Sequence, residues 1–264
     1  MPRLRIFQVD AFTDKRFGGN PAAVVPLEAW LDDSILQAVA AENNLSETAF
    51  FVADGDSYQL RWFTPIVEAK LCGHATLAAA FVIFEKLEPG GHEVRFETLS
   101  GTLTVSRADT RLVMNFPVWE LIAVDPGPPE LLDGLGVEPT AVFVVPAQDN
   151  YFVVLEDEAQ IRAVRPDFEL LSRLHPAGVA VTAPGDTSDC VSRYFAPSYG
   201  IPEDPATGSI HCGLVPYWAN RLGKREILAR QASARGAELH CEHRGDRVLI
   251  AGHAVEYLEG HITV

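Results

Sequence analysis

The sequence predicts an α+β protein of two similar lobes, each a curved sheet wrapped around one central helix. Three observations lead to this prediction: a motif recurs half a chain length later, an apolar stretch follows each copy, and strand-like segments flank both helices. The 264 residues, 47% of them hydrophobic, are enough for two lobes that each bury a core of their own.

An internal repeat carries most of this argument. The segment Arg61–Pro65 reads R-W-F-T-P, and Arg193–Pro197, half a chain length later, reads R-Y-F-A-P. A glycine before an apolar stretch follows each copy, Gly73 and Gly208, and the second connecting loop is three residues longer than the first. A third matching landmark lies at the same distance beyond each glycine, at Gly101 and Gly236. We interpret the repeat as a duplication.

The two central helices differ in their apolar pattern. The stretch Leu77–Phe84 is apolar on every side, and a helix of that kind has to be surrounded by other elements. A sheet curved around it would provide that environment. The second helix contains Pro216, which has no N–H for the helical ladder and should bend the helix. Its apolar stripe, in which every fourth residue is apolar, consists of Ile210, Leu214, Trp218 and Leu222.

Shorter elements complete the two halves. Asp32 or Asp33 can cap a helix whose inner face includes Leu36 and Val39. Alternating and β-branched residues predict strands in the second half. These strands are expected at Ala141–Val145, Tyr151–Leu155, Val179–Thr182 and Val248–Ala251.

The repeat also predicts where the lobes begin and end. The N-terminal lobe is expected to comprise residues 1–118, and the C-terminal lobe residues 119–255. The last strand, 256–264, is a candidate to join the N-terminal lobe. The turn-rich segment Asp125–Pro129 lies close to the expected boundary.

Composition excludes several classes of function. A formal net charge of −15 would repel phosphate backbones, so nucleic-acid binding is not expected. The N-terminus reads as a strand rather than a signal peptide, and no apolar run is long enough to cross a membrane. The four cysteines form no C-x-x-C pair and have no histidine partner at zinc-site spacing, which predicts free thiols, a cytoplasmic protein and no metal.

The repeated glycines indicate a place for an anion. Gly73 and Gly208 are both predicted to open a helix, where free N–H groups and the positive end of the helix dipole favour a carboxylate. Each glycine taken alone favours a simple tight turn. Their equivalence in the repeat favours a substrate-binding role.

Polar side chains stand beside both glycines. His74 follows Gly73, and the helix dipole disfavours its cationic form. Asp204, Thr207 and Ser209 surround Gly208. Helix capping by Asp204 or Thr207 and simple packing of the His74 ring are the alternatives that the spacing leaves open.

Glu47 lies in Asn43–Val52, where the asparagines end a helix and the apolar run begins a strand. A carboxyl group at such a junction can be partly desolvated, which suits it to moving protons near neutral pH. The alternative is an ordinary solvated glutamate, and spacing alone does not choose between the two.

Six motifs follow one another almost from end to end of the chain. Together they resemble the successive signatures of the PhzF family, the phenazine biosynthesis-like proteins. The motifs are D-A-F-T at Asp10–Thr13, G-N-P-A-A-V-V at Gly19–Val25, L-S-E-T at Leu45–Thr48, R-W-F-T-P at Arg61–Pro65, L-C-G-H-A-T at Leu71–Thr76 and E-D-P-A-T-G-S at Glu203–Ser209.

The resemblance implies a diaminopimelate-epimerase-like fold: two pseudo-symmetric lobes, each a curled, mostly antiparallel, barrel-like sheet around a central helix, with the active site between them. PhzF itself isomerises trans-2,3-dihydro-3-hydroxyanthranilate without a cofactor, and family members are often homodimers. Carried over motif by motif, the resemblance implies that Glu47, His74 and Asp204 are catalytic. The implied substrate-binding residues are Asn20, Gly73, Gly208 and Ser209.

The sequence therefore predicts a cofactor-independent isomerase that moves a proton on a small carboxylate substrate. One alternative is a two-thiol amino-acid racemase or epimerase on the same fold, in which a cysteine precedes the glycine in each half. Here Cys72 stands in the first position but Thr207 in the second. The other alternative is a non-catalytic protein that binds small ligands or partners.

Overall fold

The computed structural model describes residues 3–174 and 178–264, which form two compact units. The first unit runs to Phe116 and resumes from Leu249 to Val264, and the second comprises Pro117–Val248. The second unit thus begins two residues earlier than the sequence-based boundary, and the chain returns to the first unit seven residues earlier. The early return follows from hydrogen bonding, since the N–H groups of Phe12 and Thr13 both donate to the carbonyl of His253.

Strands dominate the first unit, and its helices are α1 (Asp33–Asn43) and α2 (Gly73–Val82), the latter continued by a π-helical turn at Ile83–Leu87. Strands are numbered in chain order. Those of the first unit are β1 (Arg3–Ala11), β2 (Asn20–Leu27), β3 (Glu47–Asp54), β4 (Ser57–Phe63), β5 (Glu68–Ala69), β6 (Glu93–Thr98), β7 (Gly101–Ala108), β8 (Arg111–Pro117) and β18 (Ala254–Thr263).

The first unit's sheet is mostly antiparallel. β18 pairs with β1, β1 with β2, β3 with β4, β4 with β5, β6 with β7 and β7 with β8 in antiparallel fashion, while β2–β3 and β4–β6 are parallel. Helix α2 packs against β1, β2 and β3. All of its residues except Phe81 are buried, which confirms that this apolar helix is surrounded.

The second unit contains helices α3 (Pro129–Leu135), α4 (Glu158–Ala163), α5 (Phe168–Ser172) and α6 (His211–Leu222). The four strands predicted in this half are present within one or two residues of their expected bounds. The strands of the second unit are β9 (Ile122–Ala123), β10 (Ala141–Val145), β11 (Asn150–Val154), β12 (Gly178–Pro184), β13 (Cys190–Ala196), β14 (Ile201–Asp204), β15 (Glu226–Gln231) and β16 (Ala237–Arg244). Strand β17 (Arg247–Gly252) begins in the second unit and continues into the first from Leu249.

Strand pairing in the second unit reproduces that of the first. The pairs β10–β11, β12–β13, β13–β14 and β15–β16 are antiparallel, and β11–β12 and β13–β15 are parallel. β9 lies antiparallel to β10, just as β18 lies antiparallel to β1. The repeated sequence therefore folds into a repeated topology, and the predicted α+β class with two similar halves is confirmed.

The repeat also preserves an ion pair. In the first unit, Arg61 donates to both carboxylate oxygens of Glu68, at 2.7 and 2.8 Å, and its guanidinium lies over the ring of Phe63. Glu203 is the equivalent of Glu68, because the two glutamates have the same separation in sequence as Gly73 and Gly208. The extra residues of the second copy therefore lie between the repeated arginine and Glu203. The second unit repeats the arrangement at 2.8 and 2.9 Å with Arg193, Glu203 and Phe195.

Helix α6 continues through its internal proline. Pro216 cannot donate to the carbonyl of Cys212, and that carbonyl instead accepts a hydrogen bond of 3.0 Å from the N–H of Trp119. The predicted stripe is buried at its first three positions but ends at Leu222, which is 43% exposed in the last turn. The segment after β8 thus compensates for the missing ladder bond.

Candidate functional site

Glu47 is the first residue of β3. Helix α1 ends just before it at Asn44, whose left-handed conformation (φ 49°) is one that asparagine tolerates well. The N–H of Asn44 donates to the carbonyl of Ala40, which closes the last turn. The helix-to-strand junction predicted from the sequence is therefore present, and the side chain of Glu47 is 12% exposed.

Asn20 opens the neighbouring strand β2. Parallel pairing sets Ala22 opposite Glu47, so Asn20 lies at the same end of the sheet. The preceding Gly19 has φ +58°, and a Cβ there would lie 2.0 Å from the carbonyl oxygen of Ala11. Only glycine fits this approach, which leads the chain into β2 and leaves Asn20 fully buried.

His74, the second residue of α2, joins these two residues. Its Nε2 lies 3.2 Å from Oε2 of Glu47, although the N–H direction is not aligned for a hydrogen bond. Its Nδ1 lies 3.1 Å from Nδ2 of Asn20 and 3.4 Å from Sγ of Cys72. The structure thus brings three predicted site residues into one buried cluster beside Gly73, and adds Cys72.

The His74 ring is neutral at physiological pH. Burial lowers its pKa from 6.5 to about 3, because desolvation disfavours the charged form. With Asn20 Nδ2 donating to Nδ1, the single ring proton stands on Nε2, the nitrogen that contacts Glu47. The imidazole therefore presents an N–H, rather than a positive charge, to the carboxylate.

The same cluster has the donor atoms of a metal site. One ligand atom each from Glu47, Cys72 and His74 lies within 4.8 Å of the others. Oxygen, sulfur and nitrogen donors of this kind are those that Zn²⁺ takes. The sequence alone predicts no metal, because the C-x-H spacing and a glutamate far upstream of it match no zinc motif.

In the second unit, Asp204 ends β14 and is buried. Its Oδ2 accepts a short hydrogen bond from the hydroxyl of Thr207. Gln231 on β15 bridges the loop: its Oε1 accepts from the N–H of Thr207 at 2.8 Å, and its Nε2 donates to the carbonyl of Asp204 at 2.7 Å. The amide of Gln231 therefore fixes the loop that holds the predicted catalytic aspartate.

His211, in the first turn of α6, completes this network. Its Nδ1 donates to the carbonyl of Thr207 at 2.9 Å, and burial lowers the pKa of the ring to about 4. The equivalent residue of the first unit, Thr76, donates in the same way to the carbonyl of Cys72 at 2.6 Å. His211 and Gln231 were not predicted from the sequence, although Thr76 and His211 stand at the same offset as the two repeated glycines.

The two glycines lie in different settings. Gly73 is the first residue of α2, as predicted, and is buried. Gly208 is also buried but lies three residues before α6, in a turn where His211, Cys212 and Gly213 donate to carbonyls three residues back. The prediction that Gly208 opens the helix is wrong by one turn. The turn before α6 is wound more tightly than an α-helix, because its hydrogen bonds join residues three apart instead of four apart.

Ser209, the remaining predicted substrate-binding residue, lies half-buried in the same turn. The structure links Asp204 to Gly208 and Ser209 through Thr207 and the backbone of this turn. The roles of these second-unit residues stay predictions from the family resemblance.

At the position equivalent to Glu47, the second unit has a glycine, Gly178. This equivalence follows from strand pairing, since Glu47 precedes the residue that opposes Phe63, and Gly178 precedes the residue that opposes the equivalent Phe195. A Cβ at Gly178 would lie 2.0 Å from the hydroxyl of Tyr194. That hydroxyl donates to Asn150 Oδ1 at 2.7 Å. The uncharged Tyr194–Asn150 pair therefore occupies the space that a side chain at Gly178 would need.

Among the described residues, no helix is long and apolar enough to cross a membrane.

Known proteins resemble this chain over its whole length. A family model for PhzC-PhzF, described as phenazine biosynthesis-like protein, matches residues 9–260. A Pseudomonas aeruginosa protein described as an uncharacterized isomerase is 52% identical over 262 residues, which is 99% of each chain. A crystal structure of a phenazine biosynthesis protein of the PhzF family from Enterococcus faecalis matches with a TM-score of 0.94 and 42% identity, covering 100% of both chains.

A more distant likeness concerns the fold alone. A probable proline racemase from Agrobacterium radiobacter K84 matches 99% of this chain, with a TM-score of 0.66 and 11% identity. The predicted epimerase-like fold is thereby confirmed, and the close relatives confirm isomerase as the enzyme class. On the family match and the end-to-end similarity to its relatives, this chain belongs to the PhzC-PhzF family of phenazine biosynthesis-like proteins.

Proposed function

We propose that the chain is a PhzF-type, cofactor-independent isomerase in which Glu47 moves a proton on a small carboxylate substrate. The observation that carries the proposal is the contact between Glu47 Oε2 and His74 Nε2 at 3.2 Å. The carboxylate is largely withdrawn from water, with 12% of its side chain exposed, and is held beside a neutral imidazole. A carboxyl in such surroundings is suited to take up and release a proton near neutral pH.

In this proposal, Glu47 removes a proton from one carbon of an unsaturated substrate and delivers it to another carbon of the same π-system. His74 is proposed to position the carboxylate through the contact of Nε2 with Oε2, and its Nε2–H would donate to the ionised form of Glu47 once the two side chains align. Because the ring is neutral, it does not form a salt bridge that would hold Glu47 permanently ionised. Asn20 keeps the tautomer through its 3.1 Å contact with Nδ1.

The second unit is proposed to contribute substrate-binding groups. Gly73 and Gly208, with Ser209, are assigned to the substrate carboxylate, and Asp204 to an amino or hydroxyl group of the substrate. These assignments follow the family resemblance. The buried Thr207–Gln231 network supports a fixed orientation for Asp204.

A two-base racemase is the less well supported alternative. Such an enzyme needs an acid and a base at matching positions, and Thr207 stands where a second cysteine would be. Its hydroxyl already donates to Asp204, and its N–H to Gln231. Glu47 likewise has only Gly178 as its equivalent. Neither pair of equivalent positions offers two proton-transfer groups.

The test compares wild type with Glu47→Gln and with Glu42→Gln, which alters an exposed glutamate on α1 as a matched control. Each protein is incubated with a panel of small unsaturated carboxylates bearing an amino or hydroxyl group, and proton movement is followed by NMR. Wild type and Glu42→Gln should turn over the same compound, and Glu47→Gln should be slower by a factor on the order of 100 or more.

A full rate in Glu47→Gln contradicts the proposal. Tight binding of a panel compound without turnover supports the non-catalytic alternative instead. Assembly as a homodimer is a further proposal from the family resemblance, and sedimentation velocity of the wild-type chain tests it.

A further inference from the structure

We propose that Cys72 and His74 form a binding site for a thiophilic divalent cation, Zn²⁺ in the first instance. The ion would be ligated by Cys72 Sγ and His74 Nδ1, and the carboxylate of Glu47 would face the other ring nitrogen, Nε2. This site goes beyond the proposed isomerase, and binding of the ion needs no substrate.

The two donor atoms are spaced as the ligands of one zinc ion are. Zn–S and Zn–N bonds of about 2.3 and 2.0 Å, at a tetrahedral angle, set the sulfur and nitrogen ligands of one ion about 3.5 Å apart. Cys72 Sγ and His74 Nδ1 lie 3.4 Å apart. Both side chains are more than nine-tenths buried, so the pair is already held at ligand separation away from bulk water.

The carboxylate of Glu47 lies where a metal-bound histidine usually has a supporting partner. A metal-bound histidine usually donates its other ring N–H to a carboxylate, which fixes the ring and its tautomer. His74 Nε2 lies 3.2 Å from Glu47 Oε2, on the opposite edge of the ring from Cys72. An ion can use only one ring nitrogen, so Glu47 stands on the far side of the ring, where it would accept the Nε2–H once the two side chains align rather than ligate the ion.

The tautomer is already the one that a metal needs. Asn20 Nδ2 lies 3.1 Å from Nδ1, which makes Nδ1 the acceptor and Nε2 the protonated nitrogen. A cation at Nδ1 would use the same lone pair in place of Asn20. A half-turn of the Asn20 amide would then bring its Oδ1 to this position as an oxygen ligand, and water would fill the remaining place. Binding releases one proton, because the Cys72 thiol becomes a thiolate as the sulfur–metal bond forms.

The other thiols are poor competitors for the ion. Burial raises the pKa of Cys190 and of Cys212 to about 12, and that of Cys241 well above 9.0. Among the described residues, none of these three belongs to a group of ligand atoms spaced for a metal. Selectivity for Cys72 therefore follows from its neighbours His74 and Glu47.

Occupation of the site has a consequence that rests on the proposed function. An ion on Nδ1 would lock His74 and Glu47 together and occupy space beside Gly73. Zn²⁺ would then inhibit the isomerase.

Binding is tested with Co²⁺, a spectroscopic substitute for Zn²⁺, on the full chain without any substrate. Wild type should bind one equivalent, with a thiolate-to-cobalt charge-transfer band in the near ultraviolet that added Zn²⁺ removes. Cys72→Ser should lose this band, and Cys212→Ser should keep it. Glu47→Gln should keep the band but bind about 10–100-fold more weakly.

Absence of the band in wild type overturns the proposal, and so does a band that persists in Cys72→Ser. Circular dichroism of each variant separates loss of the ligand from loss of the fold, and Cys72→Ala serves as a second variant if serine unfolds the chain. Since no substrate is present, failure here leaves the role of Glu47 untouched. Failure of the Glu47→Gln turnover test likewise leaves the metal site standing.

Discussion

His74 Nε2 lies 3.2 Å from Glu47 Oε2, and both side chains are largely buried in the first unit. The two residues are far apart in sequence and meet because β3 and α2 begin at the same end of that unit. Burial keeps the imidazole uncharged, so the contact orients the carboxylate without neutralising it. This relationship gives the proposed chemistry its geometry.

Substitution of His74 should separate the functions of its two nitrogens. Asparagine places an amide nitrogen near the position of Nδ1, whereas glutamine reaches the position of Nε2. We expect His74→Gln to retain more activity than His74→Asn, because only glutamine keeps a donor towards Glu47. Turnover of His74→Asn should fall by about tenfold or more. Equal losses in the two variants would contradict the orienting role of Nε2–H.

The stability of the protein should depend on pH through His211. Its pKa is about 4 in the folded state and 6.5 as the ordinary value, so the unfolded chain takes up a proton first as the pH falls. The contribution of this group is complete above pH 6.5 and is lost progressively between pH 6.5 and pH 4, with a slope of at most about 1.4 kcal/mol per pH unit.

His211→Asn is the matched variant for this prediction. Asparagine can still donate to the carbonyl of Thr207, but it does not titrate. Urea unfolding of both proteins at pH 7.5 and pH 5 measures the effect. The loss of unfolding free energy on acidification should be smaller in the variant, and an identical loss would show that His211 is not a source of the pH dependence.

The repeated ion pair should stabilise each unit. Arg193 is 11% exposed and also donates to the carbonyls of Ile161 and Val164, so Glu203→Gln removes a charge from a largely buried network. We expect the free energy of unfolding to fall by about 1–3 kcal/mol, which lies between the usual effects of breaking an exposed and a buried ion pair. Glu242→Gln, which breaks an exposed pair with Arg244, should have no measurable effect in the same urea titration.

Gln231 should be essential to the loop that carries Asp204. Gln231→Leu leaves the N–H of Thr207 and the carbonyl of Asp204 without their side-chain partner, and each buried group then costs about 1–3 kcal/mol. Gln231→Glu keeps the acceptor for Thr207 but sets a buried carboxylate oxygen against the carbonyl of Asp204, so it should lose more stability than leucine. Equal destabilisation by leucine and glutamate, measured by thermal unfolding, would contradict the separate contributions of the two hydrogen bonds.

Much of the fold was predictable because its signals are local or repeated. The apolar run after Gly73 identified the buried helix α2, and the two R-x-F-x-P motifs identified equivalent strands. The lobe boundary was less accurate, because it depends on which distant strand the segment 249–255 joins. No local pattern encodes the pairing of β18 with β1.

The sequence proposed site residues only where a motif singled them out, and their roles stay predictions. Glu47, His74 and Asp204 came from the family resemblance, since each is an ordinary polar residue when read alone. Gln231 and the contact of Cys72 with His74 were missed because they depend on side-chain geometry. The start of α6 was placed one turn too early for a similar reason. A turn with hydrogen bonds to the third residue back and a turn with hydrogen bonds to the fourth have the same sequence pattern.

The most direct test of the central claim is the fate of the transferred hydrogen. A substrate found in the panel is labelled with deuterium at the carbon that loses the proton, and the product is examined by mass spectrometry after a single turnover in ordinary water. If one shielded carboxylate, Glu47, both removes and returns the proton, part of the deuterium should reappear at the new carbon of the product. Complete loss of the label to solvent, together with inversion at the original carbon, would contradict this account and indicate a two-base racemase.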